Sequence, residues 1–81
     1  MKDKTKIQIK LILEGANVIH SEKINFPESK AASIIGGIRS NFCRGQDPSS
    51  GYVFWIRKEN GEVLYFGSNL LKNAILQIIE L

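Results

Sequence analysis

Between Lys4 and Leu13, Thr5, Ile7, Ile9, Leu11 and Leu13 alternate with Lys4, Lys6, Gln8, Lys10 and Ile12. A period of two is the pattern of a half-buried strand, with its odd positions toward a core and its lysines toward solvent. Turn chemistry follows in Glu14-Gly15-Ala16-Asn17, so Val18 to Phe26 reads as the returning strand of a hairpin. Two registers are open. A two-residue turn at Gly15-Ala16 turns Val18, His20, Glu22 and Ile24 inward, whereas a three-residue turn ending at Asn17 turns Ile19, Ser21, Lys23 and Asn25 inward. The first buries fewer polar groups, and the register stays open.

Pro27 begins a different period. Ala31, Ile34, Ile35, Ile38 and Phe42 recur as on one face of a helix, with proline suited to the first turn, Glu28 near the positive end of the dipole and Arg39 near the negative end. Gly36 and Gly37 interrupt this helix, and each costs about 1 kcal/mol relative to alanine. They imply close packing of the helix on the sheet or, failing that, a helix contact in a dimer or a backbone approached by a ligand. After a polar loop, Arg44 to Gly51, come Tyr52 to Lys58 and Glu62 to Phe66, joined by Glu59-Asn60-Gly61. That link fits a type I turn with glycine in the left-handed position, and it pairs Phe54 with Phe66, Trp55 with Tyr65, Ile56 with Leu64 and Arg57 with Val63.

From Ser68 to Leu81 a helix is favoured, with Ser68 as N-cap and Leu70, Leu71, Ala74, Ile75, Ile78 and Leu81 as its apolar face. The β-branched Ile75, Ile78 and Ile79 also suit a terminal strand starting near Ala74. The expected fold is one α+β domain over residues 1–81, a four-stranded antiparallel sheet with two helices on one face in ββαββα order, with halves at 4–42 and 52–81. Its 81 residues leave no room for a second core. A domain this small buries only roughly 60% of its unfolded surface, which favours oligomerisation.

Val18-Ile19-His20-Ser21-Glu22, Ser29-Lys30-Ala31-Ala32, Gly37-Ile38 and the turn Asn60-Gly61-Glu62-Val63 resemble the YegP-like small proteins. The resemblance covers about half of the chain, and neither the Ser-Lys-Ala nor the Gly-Ile element recurs in the second half. It implies a fold of tandem ββα repeats and supplies no catalytic residues.

Catalytic chemistry has little to work with. His20 is the single histidine and Cys43 the single cysteine, so there is no internal disulfide, no zinc cluster and no assignable nucleophile, and Cys43 reads as a buried or half-buried thiol. Asp3, Glu14, Glu22, Glu28, Asp47, Glu59, Glu62 and Glu80 are scattered over ends and turns, and no phosphate-binding glycine loop occurs. The chain is expected to be no enzyme and to use no cofactor or metal. The lone cysteine and the lack of a signal peptide or an apolar run of membrane-spanning length point to the cytoplasm, with no membrane partner.

The remaining information lies on a surface. With both helices on one side of the sheet, Trp55, Arg57 and Tyr65 stand on the open face, beside Lys6 and Lys10 from the first strand. Tryptophan, tyrosine and arginine anchor protein interfaces; aromatic platforms with cations also bind single-stranded nucleic acid; and Trp55 with Tyr65 could simply form a local cross-strand pair. A net charge of +3, with Lys2, Lys4, Lys6 and Lys10 in the first ten positions, permits nucleic acid without requiring it. The leading expectation is a homodimeric, non-enzymatic protein-binding module, such as an adaptor or a stoichiometric inhibitor of the kind carried by mobile elements. The alternatives are a single-stranded nucleic-acid binder and a protein that sequesters a small molecule or nucleotide between subunits.

Overall fold

The computed structural model describes residues 4–81; Lys2 and Asp3 lie outside them. Along the chain run β1 (Lys4–Leu13), β2 (Asn17–Pro27), α1 (Ala31–Gln46), β3 (Phe54–Arg57), β4 (Val63–Phe66), the single turn α2 (Ser68–Leu71) and β5 (Ile75–Glu80). Short 3-10 turns at Glu28–Lys30 and Pro48–Ser50 flank α1. The class is α+β, as expected, but the strands form two sheets: an antiparallel three-stranded sheet in the order β2-β1-β5 and a separate β3-β4 hairpin.

β1 behaves as its alternation dictates. Thr5, Ile7, Ile9 and Leu11 are buried, while Lys4 and Lys6 are exposed and Lys10 is partly so. It is the central strand, and that position decides the fate of the C-terminal segment. A helix over Ser68–Leu81 would leave one side of β1 without hydrogen bonds; instead the helix stops after one turn, and Ile75–Glu80 pairs with Ile7–Ile12. The expectation of a second full helix and of ββαββα order is corrected accordingly. The terminal strand wins because its β-branched residues fit the pleat and because buried backbone groups of β1 need partners.

The first hairpin keeps neither register considered from the sequence throughout: its turn lies one residue earlier than a three-residue turn ending at Asn17, and only the pairs beyond the bulge match the two-residue register. A three-residue loop, Glu14 to Ala16, sets Leu13 opposite Asn17 and Leu11 opposite Ile19, so Ile19 and Ser21 turn inward. A bulge then shifts the phase by one, and Ile24 and Phe26 turn inward beyond it, opposite Ile7 and Thr5. The extra residue deprives the Ile9 N–H of its ladder carbonyl, and Ser21 replaces that acceptor: the Ile9 N–H donates to Ser21 Oγ at 2.9 Å, and the hydroxyl donates to the Glu22 carbonyl at 2.7 Å. This explains a serine only 2% exposed within an apolar layer.

The second hairpin has the register read from its turn, in all four pairs. Gly61 has φ +88°, and its N–H donates to the Lys58 carbonyl at 2.9 Å. Phe54, Ile56 and Phe66 face inward and join Ile9, Leu11, Phe42, Leu71 and Ala74 in one apolar cluster that spans both sheets and α1. Phe42 of α1 meets Phe54 edge to face, with ring centroids 5.6 Å apart. Gln46, in the last turn of α1, donates to the Leu71 carbonyl at 2.9 Å and the Ala74 carbonyl at 3.4 Å, tying the helix end to the start of β5.

The glycine that lets the helix pack closely is Gly45. A Cβ there would lie 2.9 Å from Leu71 Cδ1 and 3.0 Å from Phe54 Cβ. Gly36 and Gly37 do not have that role: a Cβ at either meets no atom within 4 Å, so the expected packing of this pair on the sheet is not made. Cys43, expected to be buried or half-buried, is exposed.

Candidate binding site

Beside the bulge, residues of β2, β3 and α1 together line a gap. The gap is a cleft of about 260 Å³. Ile24, Ile38, Phe54 and Ile56 supply apolar walls, and Ser21, Glu22, Asn41 and Arg57 supply polar edges. Trp55 and Tyr52 complete the rim. Glu22 lies here because the three-residue loop turns Ile19 and Ser21 inward and therefore Glu22 outward, whereas the two-residue register would have placed Glu22 in the core. Its carboxylate lies 3.9 Å from the Arg57 guanidinium across the rim, with both side chains about half exposed. Such a pair contributes about 0–1 kcal/mol to stability but fixes the sign of charge at each lip.

Of the residues singled out from the sequence, Trp55, Arg57 and Tyr65 share the outer face of the β3-β4 hairpin. Trp55 and Tyr65 are directly opposite each other and 51% and 68% exposed. Lys6 and Lys10 belong to the other sheet, opposite Asn25 and His20 of β2. The single continuous aromatic and basic face expected of a four-stranded sheet is thus divided between two sheets. The hairpin tip touches β1 through Gln8, whose Nε2 donates to the Ser21 carbonyl at 2.8 Å and more weakly to Glu59 Oε1 at 3.4 Å. Arg44 stacks on Tyr52, 4.8 Å from the ring centroid, and holds that part of the rim in place.

Glu22, Ile38, Asn41 and Tyr52 were not legible as site residues, because the cleft is a gap between two sheets. One signal was present in the sequence: Ile19 and Ile24 are both apolar but lie an odd number of positions apart, which a strand can turn to one face only through a bulge. Among the described residues no group of His, Cys, Asp and Glu is arranged to hold a metal ion, and no helix is long and apolar enough to cross a membrane. Comparison with protein-family models, curated proteins and solved structures finds no match.

Proposed function

We propose that this chain is a non-enzymatic protein-binding module that works as a homo-oligomer and seats one large apolar side chain of a partner protein in the cleft beneath Trp55. The carrying observation is the cleft itself, apolar within, flanked by a half-exposed tryptophan and rimmed by the Arg57–Glu22 pair. At about 260 Å³ it falls below the range of roughly 300–1,000 Å³ typical of cofactor and small-molecule pockets. Interface hot spots have the same composition: a buried anchor, neighbouring tryptophan and arginine, and a polar rim. Nucleic acid is the weaker reading, because Arg57 faces a carboxylate and Lys6 and Lys10 stand on another sheet.

Panning displayed random peptides against the protein should enrich sequences built around one large aliphatic or aromatic residue, and Trp55→Ala should weaken the enriched peptides by about tenfold or more, as for an interface hot spot. Failure to enrich, or equal binding by a folded Trp55→Ala variant, would sink the reading. If an oligothymidylate instead quenches Trp55 at low salt and releases it as salt rises, the nucleic-acid alternative takes its place.

A further inference from the structure

The three-stranded sheet has two edges of unlike character. β2 carries features that discourage further pairing, namely the Ser21–Glu22 bulge, Lys23 and Pro27, and β3 stands along part of it. β5 has no bulge, proline or glycine, and the charge within it, Glu80, is its last residue, so Ile75 to Ile79 are uncharged. The hydrogen-bond phase of β5 follows from the bond donated by the Leu81 N–H to the Lys6 carbonyl at 2.8 Å. In the observed register, Ile75, Gln77 and Ile79 direct their backbone groups at β1, and Leu76 and Ile78 direct theirs away from the sheet.

We infer that two copies of this chain pair β5 against β5 in antiparallel fashion about a two-fold axis through Gln77, forming one continuous six-stranded sheet. This arrangement matches each copy's Leu76 to the other copy's Ile78, N–H to C=O in both directions, so the outward backbone groups are self-complementary. On the inner face it brings together the half-buried side chains of Leu76 and Ile78. On the outer face Ile75, 56% exposed, meets the second copy's Ile79. Ile75 already continues a cross-strand apolar row formed by Ile12 and Val18, the latter 43% exposed, so the row extends across the junction. No like charges oppose each other, since Gln77 meets Gln77. The inference gives the proposed homo-oligomer its contact surface, and that surface is separate from the cleft. A junction of paired strands of this length belongs at the low end of specific interfaces, below about 1,200 Å², and dissociates in the micromolar range.

The test uses the full chain at concentrations from about 1 µM to 1 mM, bracketing that range, with mass read by sedimentation equilibrium. The wild type should pass from one chain to two. Gln77 is exposed, so Gln77→Lys should keep the monomer fold while placing two cations at the two-fold axis, weakening association by about tenfold or more. An equimolar mixture of Gln77→Lys and Gln77→Glu should restore it. In a Cys43→Ser background, Gln77→Cys should form a disulfide-linked dimer on mild oxidation, because residues facing each other in a non-hydrogen-bonded pair have Cα atoms about 4.5 Å apart, within disulfide reach. A mass of one chain throughout, or a dimer dissolved by Trp55→Ala with Tyr65→Ala but indifferent to charge at Gln77, overturns the inference. Loss of peptide binding in a Trp55→Ala variant that still dimerises would separate the cleft from the edge.

Discussion

Removing one hydroxyl tests how the sheet accommodates its bulge. Ser21→Ala deletes the acceptor of the Ile9 N–H and leaves Cβ, so little volume is lost. Ile9 is 6% exposed and Ser21 2%, so water has poor access to the abandoned donor. A buried donor left unsatisfied costs about 1–3 kcal/mol. The Glu22 carbonyl, also released, adds little because that residue is partly exposed. A chain of this length has roughly 4–12 kcal/mol of total stability, and 1 kcal/mol shifts Tm by about 4–8 °C in a domain of this size. The variant should therefore melt about 5–20 °C lower, measured by far-ultraviolet circular dichroism and by urea titration of Trp55 fluorescence, with an unchanged m-value. Ser21→Thr, which keeps the hydroxyl, should recover part of the loss, and amide exchange at Ile9 should accelerate in the alanine variant relative to Ile7 and Leu11. A loss below about 0.5 kcal/mol, the range of an ordinary surface substitution, would mean that the Ile9 N–H has another partner and that the account of the bulge is wrong.

Three further substitutions probe the backbone and the loop. Gly45→Ala should destabilise by about 1–2 kcal/mol, because crowding against Phe54 Cβ and Leu71 exceeds the gain in helix propensity; Gly36→Ala and Gly37→Ala should each stabilise by up to about 1 kcal/mol, and urea midpoints that fail to diverge in this way would refute the packing described. Ala16 has φ +64°, a left-handed conformation that strains an alanine, so Ala16→Gly should raise stability by about 0.5–1 kcal/mol, and a lower melting temperature would contradict the loop geometry. The Ser49 hydroxyl and backbone N–H both donate to Asp47 Oδ1, at 2.8 and 2.9 Å, and hold its carboxyl below the ordinary value of 3.8. A depressed folded value means that this contribution is present above the unfolded pKa, near 4, and disappears as pH falls through the folded one. Carbon-detected titration should show the Asp47 midpoint rising in Ser49→Ala, and an unmoved midpoint would exclude the hydroxyl as its cause.

What could be read from the chain depended on the range over which each feature is decided. The β3-β4 register was legible because Asn60 and Gly61 fix it locally: the Glu62 N–H donates to Asn60 Oδ1 at 2.9 Å, and Gly61 alone takes the left-handed position in that turn. The face of β1 was legible because its alternation is unbroken. Ser68–Leu81 was ambiguous because its apolar spacing satisfies both a helix and a strand, and the choice rests on the vacant side of β1, more than sixty residues earlier in the chain. The same limit governs the glycines. Gly36-Gly37 drew attention as a pair, whereas the close contact falls on Gly45, whose neighbours Phe54 and Leu71 come from other elements. As for the site, Trp55, Arg57 and Tyr65 were visible through hairpin alternation, but the cleft beside them arises where two sheets part.

The pairing of Ile7 with Glu80 also governs how fast the molecule assembles. To form the β1-β5 ladder, the chain must close a loop containing nearly all of itself, at an entropic cost of about 4 kcal/mol beyond the constant term, before any of those hydrogen bonds contributes. The two hairpins close over a handful of residues and need not wait for that event. Refolding should therefore show a fast local phase and a slow topological one, with amide protection of β5 appearing last and an overall rate in the range of β-rich domains. A circular permutant that links Leu81 to the start of the chain and opens it between α1 and β3, at Pro48–Ser50, turns the longest strand closure into a short hairpin and leaves the β3-β4 turn intact. It should fold faster than the parent while the finished sheet keeps the same neighbours.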